Sequence, residues 1–153
     1  MKQLLIVGHT PSANTEQLRE ALVQGSQHPD IVDVACVYKS ALDASAEDVL
    51  ACDGIILFTT ENLGYMSGAL KDFFDRCYYP VLEKKQGLAC AILIRAGHDG
   101  TGTQRALNTI LTGLRWKIVH DIVILRGQWQ SSFVAEAEEL GLHMAAGLEV
   151  GIW

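Results

Sequence analysis

No block of basic residues occurs anywhere in this 153-residue chain, and its 12 Lys and Arg are outnumbered by 18 Asp and Glu, a net charge of -6. Such a surface does not attract a phosphate backbone, which argues against nucleic acid as a partner. No apolar run approaches the ~20 residues needed to cross a bilayer. Met1-Lys2 leads straight into Gln3-Leu4-Leu5-Ile6-Val7-Gly8, without the longer apolar segment and small-residue cleavage site of a secretory leader. No membrane association and a cytoplasmic location are therefore expected. Cys36, Cys52, Cys77 and Cys90 form no C-x-x-C pair and have no clustered histidines beside them. Neither a zinc site nor a dithiol is indicated, and buried free thiols are expected. G-x-x-x-x-G-K-[ST] is missing, as is G-x-G-x-x-G in the first strand-to-helix turn, which excludes a P-loop and direct dinucleotide binding there. Internal repeats and Pro/Gly/Ser-rich linkers are missing too, so residues 1–153 read as a single domain.

What the chain does contain is an alternation of apolar runs with amphipathic segments. Strands are expected over residues 3–8, 32–38, 54–59, 88–94 and 118–125. Helices are expected over residues 15–27, 45–51, 68–78, 103–115 and 133–147. Asn14 is the expected cap of the first helix, Ser45 of the second and Ser67 of the third, and Pro80 is expected to end or redirect the third. The run Gly54-Ile55-Ile56-Leu57-Phe58 is continuously apolar, as in a parallel strand covered on both faces. Five strand–helix units imply an α/β three-layer sandwich, a five-stranded parallel sheet with helices on both faces. The order expected for the sheet, numbering the strands along the chain, is 2-1-3-4-5.

In that topology three unusual loops meet at the C-terminal edge of the sheet. After the first strand, His9, Thr10, Ser12, Asn14 and Thr15 surround a helix start whose free N–H groups suit a phosphate, although an ordinary capped turn reads the same. After the third strand come Thr60, Glu61, Asn62, Leu63, Gly64, Tyr65 and Met66, able to cover and border a flat ring, or simply to roof the core. After the fourth come Ala96, Gly97, Asp99 and Gly100, where Gly97, Gly100 and Gly102 permit a tight path that leaves room for a ring edge. His9 and His98 are candidate acid/base groups, but nothing pairs either with a nucleophile. A receiver domain of the same fold would need acidic residues at the ends of the first and third strands. Those ends read Gly8-His9 and Thr59-Thr60.

These loops resemble those of the flavodoxin-like superfamily, especially its branch of NAD(P)H-dependent FMN and quinone reductases. In that branch the loop after the third strand reads P-E-Y-N-x-S-x-P-G-x-L-K; Glu61, Gly68, Leu70 and Lys71 match, while Thr60, Asn62, Leu63 and Ser67 depart. The quinone-reductase variant G-x-M-x-x-x-x-K-x-F-x-D is met by Gly64, Met66, Lys71, Phe73 and Asp75. Thr10, Ser12, Asn14 and Thr15 look like the family's phosphate loop. The resemblance implies a flavodoxin-like fold and bound FMN, with NAD(P)H as reductant and a quinone, another small molecule or a redox protein as acceptor. It leaves two alternatives, a flavodoxin-type electron carrier without NAD(P)H activity and a flavin-free binding module. The stretch Tyr78-Tyr79-Pro80-Val81-Leu82 offers a homodimer face, or burial beneath the loop that follows.

Overall fold

Strands β1 (Lys2–Gly8), β2 (Val34–Ser40), β3 (Gly54–Asn62) and β5 (Ala89–Ala96) form the body of a parallel sheet in a computed structural model that describes all 153 residues. β1 lies between β2 and β3, and β3 between β1 and β5, so the 2-1-3-4-5 order holds. Beyond β5 the expected last strand is in two pieces, β6 (Lys117–Ile118) and β7 (Val123–Arg126), both parallel to β5. Between the pairs Cys90↔Ile118 and Leu93↔Val123, β5 advances three residues and the edge advances five. His120 and Asp121 fall in this interruption. A two-residue strand, β4 (Tyr65–Met66), folds back antiparallel on the end of β3 and brings the sheet to seven strands.

The interior strands are buried on both faces because helices cover both. α2 (Ala46–Ala51), α3 (Gly68–Val81) and α4 (Thr101–Leu114) seal one face over Leu5, Val7, Ile55, Leu57, Cys90 and Ile92. α1 (Ala13–Ser26) and α5 (Ser132–Val150) seal the other over Leu4, Ile6, Ile56, Phe58, Ala91 and Leu93. The alternation within each strand is the two-residue period of a pleated sheet. α1 begins two residues earlier than expected, capped by Ser12 rather than Asn14, in a reciprocal box with Thr15. Ser45 and Ser67 cap α2 and α3 as expected. Pro80 sits in the last turn of α3, which ends one residue later. Val81 is buried and Tyr79 exposed, so the Tyr78 to Leu82 segment is divided between core and surface. No helix is long and apolar enough to cross a membrane.

Candidate functional site

The loop after β1 is tied down at its start and open at its end. The His9 N–H donates to the Phe58 carbonyl at 3.1 Å, which fixes where the chain leaves the sheet. Ser12 Oγ accepts from the Thr15 N–H, and Thr15 Oγ1 accepts from the Ser12 N–H and donates to the Ser12 carbonyl. Thr15 is buried and its hydroxyl is satisfied within the box. The N–H groups of Thr10, Ala13 and Asn14 donate to no protein acceptor, and Ala13 and Asn14 are exposed. Three free donors at the start of a helix of 14 residues are what a phosphate would take, since the helix adds partial positive charge.

One carboxylate lies beside them. Thr10 Oγ1 donates to Glu16 Oε1 at 2.8 Å, and Arg19 holds Glu16 Oε2 with Nε at 2.9 Å and Nη2 at 2.6 Å. The Thr10 bond and then the Arg19 bonds keep Glu16 below the usual carboxylate range. The Arg19 guanidinium in turn rests over the Tyr38 ring, 5.1 Å from its centroid.

β3 runs past its parallel neighbours and turns back through Leu63-Gly64, pairing Asn62 with Tyr65 and Glu61 with Met66. Both turn residues have positive φ, 54° and 74°, the mirror-image turn whose twist suits a two-residue hairpin. Gly64 adopts it freely, whereas Leu63 does so with its side chain fully exposed. Tyr65 is 40% exposed beside it, and Met66 is buried in the core under the hairpin. The tip therefore presents Leu63 and Tyr65, and Met66 supports it from below. Thr60 Oγ1 bonds Asn62 Oδ1 at 2.9 Å, and Thr59 Oγ1 accepts from the Ser67 N–H at 2.9 Å.

The loop after β5 is held from both sides. Glu61 Oε1 accepts from the His98 N–H at 2.9 Å, and Oε2 from the Gly100 N–H at 2.8 Å. Gly100 has φ 71°, and at Gly102 a Cβ would overlap the Gly64 carbonyl oxygen. The glycines thus admit the hairpin backbone as well as a tight turn. Asp99 accepts from the Thr101 N–H and hydroxyl, bonds that lower its carboxyl below the usual range. Ala96 is buried, and its carbonyl accepts from the Gly127 N–H and from Arg95. Gly97 is the open position, with nothing within 4 Å of a Cβ placed there.

A fourth loop, residues 127–131, joins this edge and was missed by sequence reasoning. Arg95 donates to the Leu125 and Gly127 carbonyls and stacks on Phe133, which also packs edge-on against Trp129. The only local signal was an arginine near the end of an apolar strand. The rings of His9 and His98 hydrogen-bond to no protein group. Burial pushes the Cys52 thiol up to about 11 and the Cys90 thiol higher still, so neither supplies a thiolate.

Residues 1–130, which contain the loops after β1, β3 and β5, match the model of the NADPH-dependent FMN reductase family. The chain belongs to that family. It is thus a member of an FMN-binding, flavodoxin-like group of oxidoreductases. A protein of Aquifex aeolicus (strain VF5) named flavodoxin is 30% identical over 115 residues, which make up 74% of this chain but 60% of that relative's length. Among solved structures, a flavodoxin from the domain Archaea superposes with a TM-score of 0.80 at 16% identity, covering 95% of this chain and 98% of that one. A flavodoxin, WrbA-like protein from Agrobacterium tumefaciens gives 0.71 at 16% identity, covering 95% and 96%. At such identities the superpositions show the fold. In this member of the FMN reductase family the helix start after β1 is open and the hairpin tip after β3 is apolar.

Proposed function

We propose that the protein binds FMN along the C-terminal edge of the sheet and uses it to pass electrons from NAD(P)H to a quinone or another small acceptor. One contrast carries the reading. The amides after β1 are free, whereas two amides of the glycine-rich loop after β5 already serve Glu61. The phosphate belongs at Thr10, Ala13 and Asn14, which points the ring toward Asn62, Leu63, Tyr65 and Gly97.

FMN held at this edge would supply the hydride-accepting and electron-returning chemistry, so the protein would need no acid/base side chain of its own. Ser12 and Thr15 preform the helix start, leaving the amides aimed outward before any ligand arrives. Thr10 can turn its hydroxyl from Glu16 toward an anion, and Arg19 then still neutralises the carboxylate. Leu63 and Tyr65 supply apolar cover that excludes water from one side of a planar ligand.

The test is an absorption spectrum with and without added FMN, followed by turnover with NADH, NADPH and several quinones. Bound flavin bands and NAD(P)H oxidation above that of free FMN are expected; their absence overturns the reading. The Aquifex relative's name supports a second reading, an electron carrier. It predicts the same spectrum with negligible NAD(P)H turnover. Glu16→Gln is expected to tighten FMN binding roughly three-fold at low salt, because one negative charge beside a phosphate is removed. The gain should shrink as salt is added. Titration calorimetry at two ionic strengths checks both, and weaker binding by the variant at low salt contradicts the placement of the phosphate.

A further inference from the structure

Glu61 accepts two backbone amides from a segment 37 and 39 residues away and has no cation paired to it, so its carboxylate joins two loops. Glu61 pairs with Met66 one position before the last pair of the β3 hairpin, and its partners flank Asp99 at the entry to α4. A helix start favours negative charge. A second tie reinforces the first, since the Gly64 carbonyl lies where any side chain at residue 102 would be. From below, Arg126 Nε donates to the Asp99 carbonyl at 2.8 Å, and Arg95 Nη1 to the Ala96 carbonyl at 2.9 Å. The loop after β5 thus has one fixed path, with Glu61 fastening its outer side.

We propose that Glu61 is a positioning residue that locks the 61–66 hairpin and the 97–101 loop into one jaw, setting the width of the flavin slot without touching the ring itself. This rests on the FMN reading above. With both oxygens engaged by His98 and Gly100, Glu61 has its acceptors committed to the loop, and those two amides are committed to Glu61. Removing the carboxylate releases two N–H donors on the wall that would border the ring's polar edge. Both the fit and the electronic environment of a bound flavin should then change.

Hydrogen exchange of the apo protein tests the lock without any cofactor. The His98 and Gly100 amides should be protected in the wild type and exchange at least ten-fold faster in Glu61→Ala, while interior β5 amides such as Ile92 keep their protection. Equal rates in the two proteins overturn the proposal. With FMN, Glu61→Ala should bind at least ten-fold more weakly and show shifted visible bands and midpoint potential. Glu61→Gln, which keeps one carbonyl acceptor, should recover part of each change and guards against a variant that fails to fold. Wild-type affinity, bands and potential in Glu61→Ala also overturn the proposal. Ala13→Pro separates the two ideas, since weakened binding with an unshifted spectrum supports the phosphate placement independently of Glu61. If the wild type binds no FMN, the FMN reading fails and the slot fails with it, whatever the exchange rates.

Discussion

Gly25→Ala is expected to lower the unfolding temperature by roughly 6–12 °C, from ~3 kcal/mol of overpacking in a protein of this size. α1 and α5 meet backbone to backbone. A Cβ on Gly25 would overlap the Glu138 carbonyl, and one on Gly141 would overlap the Leu22 carbonyl, so each helix offers a glycine to the other's main chain. Ser26 strengthens the seam, donating to the Leu22 carbonyl at 2.8 Å and lying 3.4 Å from the Gly141 carbonyl. Ordinarily, alanine in place of glycine favours a helix by about 1 kcal/mol. Here neither partner is a side chain that can swing away, so the helices must separate and the clash outweighs propensity. Gly113→Ala is the matched control. Its Cβ would meet the Tyr78 hydroxyl, the far end of a movable side chain, and its melting temperature should change by no more than a few degrees. Thermal melts of the two variants check the contrast, and a Gly25→Ala protein as stable as the wild type would refute the seam.

Ala13→Pro should weaken FMN binding roughly 10- to 150-fold while leaving the apo protein as stable as before. Residue 13 is the first residue of α1, where proline is well tolerated. Ser12 before it is extended, at φ -142° and ψ 165°, which a following proline requires. The exchange therefore removes one N–H from the candidate phosphate nest and little else. Hydrogen bonds to charged groups contribute about 1.5–3 kcal/mol, which sets the range of affinity loss. FMN titration by fluorescence quenching, beside a thermal melt of the apo protein, provides both readouts. Unchanged affinity would move the phosphate elsewhere.

Local pattern carried most of the fold. The runs Ile55 to Phe58 and Ala91 to Ile94 have no polar interruption, and Ser45 and Ser67 announce helices that begin where they stand. Failures came where distant groups decide. Ser12 and Asn14 are equally good caps by type, and the Ser12–Thr15 box, following the His9 tie to Phe58, selects the first. The apolar residues from Ile118 to Leu125 have the composition of one strand, yet their register against β5 slips at His120 and Asp121. Glu61 was legible as a motif residue, while its bonds into the loop after β5 depend on a pairing no neighbouring residue announces. Gly102 was legible as part of a tight backbone path, and its closeness to the Gly64 carbonyl was not.

The slip between β6 and β7 also governs how the molecule meets other chains. An intact edge strand is a template for intermolecular pairing and aggregation. On this side the edge is cut into pieces of two and four residues whose register against β5 slips between them, so an incoming strand finds no continuous row of donors and acceptors. The opposite edge is β2, seven residues without a bulge, whose one charged side chain, Lys39, already pairs with Asp48 at 3.1 Å. Any tendency of partly unfolded molecules to associate through their sheets is therefore concentrated at β2, and a second lysine there would be the economical place to suppress it.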